Sequence, residues 1–123
     1  MADEARPDGS EELVDLDGMR QVARECDWTL RELTEMYADK TLEEIERLQE
    51  AVEGGQDSEV TRLAHGCAGA SAMSCVVGMV PLFRGIEEAG RNGRMTEAAE
   101  LLDQARQRFR QIRDALEHAA STE

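Results

Sequence analysis

The chain carries one histidine in a setting that could do chemistry. His65 lies in the middle of the stretch Thr61 to Val76, TRLAHGCAGASAMSCV. An imidazole can serve as a metal ligand, a general base or a nucleophile. A shared metal or haem site in a helical protein needs a second inward histidine or a Glu-x-x-His pair, and the sequence has neither. The other histidine, His118, falls near the end of the chain and is given no role. Cys26, Cys67 and Cys75 are odd in number and form no CxxC spacing, which argues against a disulfide framework or a zinc site. No GxxxxGK[ST] or glycine-rich nucleotide loop is present. A lone surface histidine most often does nothing, so the residues around His65 must decide.

Those residues are small. At about 100° per residue, Ser58, Arg62, His65, Gly69, Ala72 and Val76 share one stripe of a helix. Leu63, Cys67, Ala70 and Ser74 fall opposite, with Val60 and Ala64 on a flank. The pattern predicts an outward imidazole ringed by Gly66, Ala68, Gly69 and Ala72. Each glycine inside a helix costs about 1 kcal/mol relative to alanine. What the helix gains is clearance for another macromolecule to approach His65.

The scaffold must be helical. Its 123 residues suit one domain with one core, and 41% hydrophobic with 33% charged residues marks a globular chain. Trp28, Tyr37, Phe83 and Phe109 are the only aromatics, prolines stand only at 7 and 81, and no alternating strand pattern appears. A net charge of −13 opposes nucleic acid and anionic membrane surfaces, both of which need clustered Lys and Arg. The longest apolar run, Ala70 to Phe83, is too short and too mixed to span a bilayer. The opening MADEARPDGSEE is unlike a signal peptide, so the expected compartment is the cytoplasm.

Read in order, residues 1–15 are expected to be a flexible acidic lead-in, and residues 16–120 a bundle. Asp17 is the expected N-cap of a short helix bearing Met19, Val22 and Ala23 inward. Asp27 is the expected cap of a long helix with Leu30, Leu33, Tyr37, Leu42, Ile45, Leu48 and Val52 inside, ended by Gly54-Gly55. Asp57 or Ser58 should cap the histidine helix, which runs to about Cys75. Met73 and Met79 read as packing residues, as does Cys67. Pro81 suits the first turn of the next helix, and Asn92-Gly93 its end. Met95, Ala98, Leu102, Ala105, Phe109, Ile112 and Leu116 alternate steps of three and four, the seam of a helix packed nearly parallel to its neighbours. Short connections between four substantial helices predict an all-α, antiparallel up-down-up-down four-helix bundle with a short N-terminal capping helix.

The run from Leu63 to Glu87 resembles the histidine-containing phosphotransfer (HPt) domain of bacterial two-component phosphorelays. Ala64-His65, Ala68-Gly69-Ala70-Ser71, the spaced Met79 and Leu82, Ile86-Glu87, the turn Asn92-Gly93 and Phe109 carry the likeness, which covers roughly residues 16 to 117. The chain departs from the family pattern twice. The usual lysine three residues after the histidine is Ala68, and the usual glycine ten residues after it is Cys75.

The resemblance implies a phosphocarrier rather than an enzyme. His65 would accept a phosphoryl group from the aspartyl-phosphate of a receiver domain and pass it to another receiver. Partners would be response-regulator receivers or a hybrid histidine kinase. No cofactor of its own is expected; Mg2+ would be supplied by the receiver. Gly66, Ala68, Gly69 and Ala72 would lie beneath the partner, and Arg62 would substitute in part for the missing lysine. A monomer without metal, nucleic acid or membrane is expected. The alternative is an HPt-like docking module that binds a receiver or kinase without relaying phosphate.

Overall fold

The computed structural model of the protein describes residues 13–122, and every regular element among them is helical. The elements are α1 (Leu16–Glu25), α2 (Leu30–Glu53), α3 (Asp57–Met73), a 3₁₀ turn (Val77–Met79), α4 (Val80–Arg91) and α5 (Met95–Ser121). Helix α3 packs on α4, α4 on α5, α5 on α2 and α2 on α3, so the four long helices close a ring, while α1 rests on α2.

Local chemistry sets the helix ends. Asp15, not Asp17, caps α1, its carboxylate accepting the Gly18 N–H at 3.1 Å. Asp17 falls in the first turn instead. The cap of α2 is Thr29 rather than Asp27. Thr29 Oγ1 accepts the Glu32 N–H at 3.0 Å while the Glu32 carboxylate accepts the Thr29 N–H at 2.8 Å, a reciprocal pair that satisfies two orphan donors. Asp27 makes the turn before it with φ 60°. Helix α2 is continuous to Gly54, but its inner face takes Thr41 and leaves Leu42 exposed. No side chain caps α3, whose N-cap is Gln56. Pro81 sits in the first turn of α4, and Asn92 caps its end before Gly93 at φ 71°.

The ring encloses a core of Leu48, Met79, Phe83, Ile86, Leu102 and Ile112, all fully buried. Each such side chain contributes roughly 1.5–3 kcal/mol by leaving water. Of the seam residues of α5, all but Met95 are buried. The expected flexible lead-in, residues 1–15, lies outside the described residues up to position 12. The rest of it is packed. Val14 is buried, Leu13 lies against Gly78, and the Asp15 N–H donates to the Cys75 carbonyl at 2.9 Å. Among the described residues, contact with the bundle thus extends to Leu13. Among the described residues no helix is long and apolar enough to cross a membrane.

Candidate functional site

Helix α3 turns Val60, Leu63, Ala64, Cys67, Ala68 and Ser71 inward. His65 stands on the rim of this face, its side chain 78% exposed. Gly66, Gly69 and Ala72 are exposed around it, and a Cβ added to either glycine would meet nothing within 4 Å. Neither glycine has positive φ. Clearance around the imidazole is therefore not required by the packing of the helix.

Ala68 lies on the opposite side from the one its place in the sequence pattern predicts. It was expected in the exposed ring and is buried at 3% exposure, while Ala70, expected inside, is exposed. The buried face is rotated toward the flank of α3 that bears Thr61 and Ala64, because α4 packs there. Gly90 of α4 lies so close that a Cβ on it would stand 2.8 Å from Thr61 Oγ1. Met73, expected to pack, is 78% exposed.

Helix α4 also brings the group that orients the imidazole. Glu87 Oε2 lies 3.0 Å from Nδ1 of His65, and the same oxygen accepts from Arg91 at 2.8 Å. The Glu87 side chain is only 13% exposed. An ionised carboxylate only accepts, so against one this contact is a hydrogen bond in the tautomer that carries its proton on Nδ1 and its lone pair on Nε2. With Nδ1 taken, Nε2 is the ring nitrogen open to a reacting partner.

Arg62, the expected neighbouring cation, is engaged elsewhere. Its Nε donates to Glu59 Oε1 at 3.1 Å and a terminal nitrogen pairs with Glu59 Oε2. That bidentate pair holds the Glu59 carboxyl below its ordinary titration range, chiefly through the hydrogen bond. Both residues lie on the flank of α3 away from α4.

Beneath the site, the Tyr37 hydroxyl on α2 and the Ser71 hydroxyl on α3 are 2.7 Å apart and buried. Burial pushes the Tyr37 phenol up to about 12. It pushes the Cys67 thiol, on the same helix face as Ser71, up to about 12 as well. This polar contact pins α3 to α2 on one side as Glu87 ties it to α4 on the other. Among the described residues no three His, Cys, Asp or Glu side chains gather as metal ligands do.

Glu87 and Arg91 were not read as site residues from the sequence. The available signals were the place of Glu87 in the stretch that carries the family likeness and its i, i+4 spacing to Arg91, which favours an ion pair. The 22-residue separation from His65 hid the contact.

Fold and site together define a helical protein whose His65 imidazole is exposed in the middle of a helix and held by a carboxylate. The family model for the Hpt domain matches residues 32–122, and the chain belongs to that family. The crystal structure of histidine-containing phosphotransfer protein B (HptB) from Pseudomonas aeruginosa PAO1 is similar, with a TM-score of 0.81 and 18% sequence identity, covering 90% of this chain and 96% of that one. At that identity the likeness is one of fold. No protein with a curated description matches the sequence.

Proposed function

We propose that this protein is a histidine phosphotransfer protein of a phosphorelay. It accepts a phosphoryl group on His65 from the aspartyl-phosphate of a receiver domain and passes it to a second receiver. The observation that carries this reading is the Nδ1–Glu87 contact at 3.0 Å, which leaves Nε2 as the exposed nucleophile. The closed ring of helix contacts and the short connections support an antiparallel four-helix bundle as its frame.

The chemistry follows from the geometry. The Nε2 lone pair attacks phosphorus as the acyl-phosphate P–O bond breaks, and the aspartate carboxylate leaves with the bonding electrons. The Nδ1 proton stays in place, so positive charge develops on the ring against the Glu87 carboxylate. Hydrogen bonds to charged groups are worth about 1.5–3 kcal/mol. Transfer to the next receiver reverses these changes. In-line phosphoryl transfer depends mainly on positioning and charge neutralisation. A rigid nucleophile with a clear approach therefore suffices, and the receiver supplies Mg2+ and the acidic pocket. The chain acts as a carrier, a cytoplasmic monomer without catalysis of its own. Exposed Gly66, Gly69 and Ala72, with Met73 beyond them, form the landing surface.

A second reading, docking without transfer, is favoured by one observation. Ala68 is buried and offers no cation from α3 beside the imidazole. The two readings separate on incubation with a receiver phosphorylated by a small donor. The carrier reading expects acid-labile, alkali-stable label on the wild type, none on His65→Gln, and onward movement of the label to a second receiver. Binding without label would support docking instead, and label surviving His65→Gln would sink the choice of residue.

A further inference from the structure

A phosphoryl group on Nε2 of His65 would bring a charge of about −1.5 to −2. It would arrive beside the Glu87 carboxylate on a chain of net charge −13. Such a site needs cations within reach, and α3 offers none that is free. Arg62 has its Nε and one terminal nitrogen committed to Glu59, and position 68 is a buried alanine.

Helix α4 supplies them. Gly90 lies against Val60 and Thr61, and Glu87 against His65, so residue numbers rise along α4 as they fall along α3. By this register Arg84 stands level with Ala68, about 4.5 Å along the axis from Glu87, and Arg91 stands about 6 Å the other way. At 100° per residue the two arginines lie within about 20° of each other, on the side of Glu87 turned away from the packed Gly90. Both are exposed. Arg91 commits one terminal nitrogen to Glu87. Arg84 makes no hydrogen bond or ion pair to a described residue. The acids beside them are Glu87 and the exposed Glu88.

We propose that Arg84 and Arg91 bind the phosphoryl oxygens on His65 from the neighbouring helix, one from each side of Glu87. The inference rests on the phosphotransfer reading and deepens it. Guanidinium forks suit phosphoryl oxygens. Arg91 also balances the Glu87 carboxylate before the phosphoryl group arrives. Arg84 is the donor with nothing to give up.

The test is transfer kinetics from a phosphorylated receiver to the wild type, Arg84→Gln, Arg91→Gln, the double variant and Arg84→Lys. Melting curves confirm that each variant folds. Each single glutamine variant should lower the maximal transfer rate about 10-fold or more, and the double variant about 100-fold or more. The receiver concentration for half-saturation should stay within about two-fold. Arg84→Lys should recover much of the loss, because a cation is restored. A double variant that transfers at the wild-type rate overturns the inference. So does a loss confined to half-saturation, since the arginines would then serve docking alone. Absence of label on the wild type overturns the phosphotransfer reading and this assignment with it. Label on wild-type His65 with unaffected variants overturns the arginine assignment only.

Discussion

Glu87 and His65 are 22 residues apart in sequence, yet Glu87 Oε2 and His65 Nδ1 stand 3.0 Å apart across the α3–α4 contact. The carboxylate is mostly covered and the imidazole mostly exposed, at 13% and 78% of their side-chain surfaces. One partner is thus fixed by packing, and it fixes the other. Removing the carboxylate leaves His65 in place but frees its ring to rotate and exchange tautomers. Glu87→Ala should reduce the maximal transfer rate about 10- to 100-fold, the range for losing one well-placed acid–base or electrostatic partner. Glu87→Gln keeps an acceptor oxygen and should lose less. Rapid-quench transfer assays on both variants check this order, and equal rates for all three proteins would contradict it.

The glycines of α3 and α4 should respond in opposite ways to the same change. Gly66 and Gly69 face open space, so alanine there should stabilise the fold by roughly 0.5–1 kcal/mol each through helix propensity. Gly90→Ala would press a methyl against Thr61 Oγ1 at 2.8 Å and Val60 Cγ1 at 3.0 Å, and should destabilise by about 1–3 kcal/mol. Urea unfolding measures all three. A bulkier change, Gly69→Leu, should fold at least as well as the wild type but fail to accept phosphate from a receiver. That split would show that the bare surface serves the partner and not the fold.

Alkaline pH should loosen the α2–α3 contact. The Tyr37 phenol is raised by burial from about 10 to about 12, so the folded state holds it neutral. A group with its folded pKa raised contributes stability that is complete below the unfolded value and lost as pH climbs through the folded one. The window here is pH 10 to 12, with a contribution on the order of 2 kcal/mol from this shift. Cys67 acts in the same direction, from about 9 to about 12. Urea midpoints at pH 8, 10 and 11.5 should fall steadily, and Tyr37→Phe should flatten part of the slope. Phenolate absorbance developing with a midpoint near 10 in the folded protein would contradict this account.

Cys75 holds a φ of 64° at the end of the α3 connection, a conformation that costs a residue with a Cβ about 1–2 kcal/mol. Its carbonyl anchors the Asp15 N–H, and its Sγ packs near Gly18. Cys75→Gly should relieve the backbone and give up a half-exposed contact, for a net gain of roughly 0.5–1 kcal/mol. Calorimetry would show a higher melting temperature. A lower one would mean that the thiol contact outweighs the backbone.

The sequence was most legible where side chains are large. The seam of α5 from Ala98 to Leu116 reads directly, because one face of leucine, isoleucine and phenylalanine has only one way to be buried. It was least legible on α3, where alanine, glycine and serine fit either face. There Ala68 and Ala70 exchanged sides, and only the position of α4 decides between them. The caps at Asp15 and Thr29 were missed for a related reason. Several side chains near each helix start can accept an N–H, and the packing of Val14 and the turn at Asp27 select among them. Exposed His65 and the small residues at 66, 69 and 72 were visible in the sequence, whereas Glu87 and Arg91 needed the register between two helices.

The most direct test is the identity of the nitrogen that carries phosphorus. The protein, labelled with ¹⁵N in its imidazole rings, would be phosphorylated by a receiver and held at alkaline pH while its phosphorus–nitrogen couplings are recorded. A single phosphorus bound to Nε2 of His65 is expected, with Nδ1 facing Glu87. Phosphorus on Nδ1, on His118 or on no histidine would contradict it.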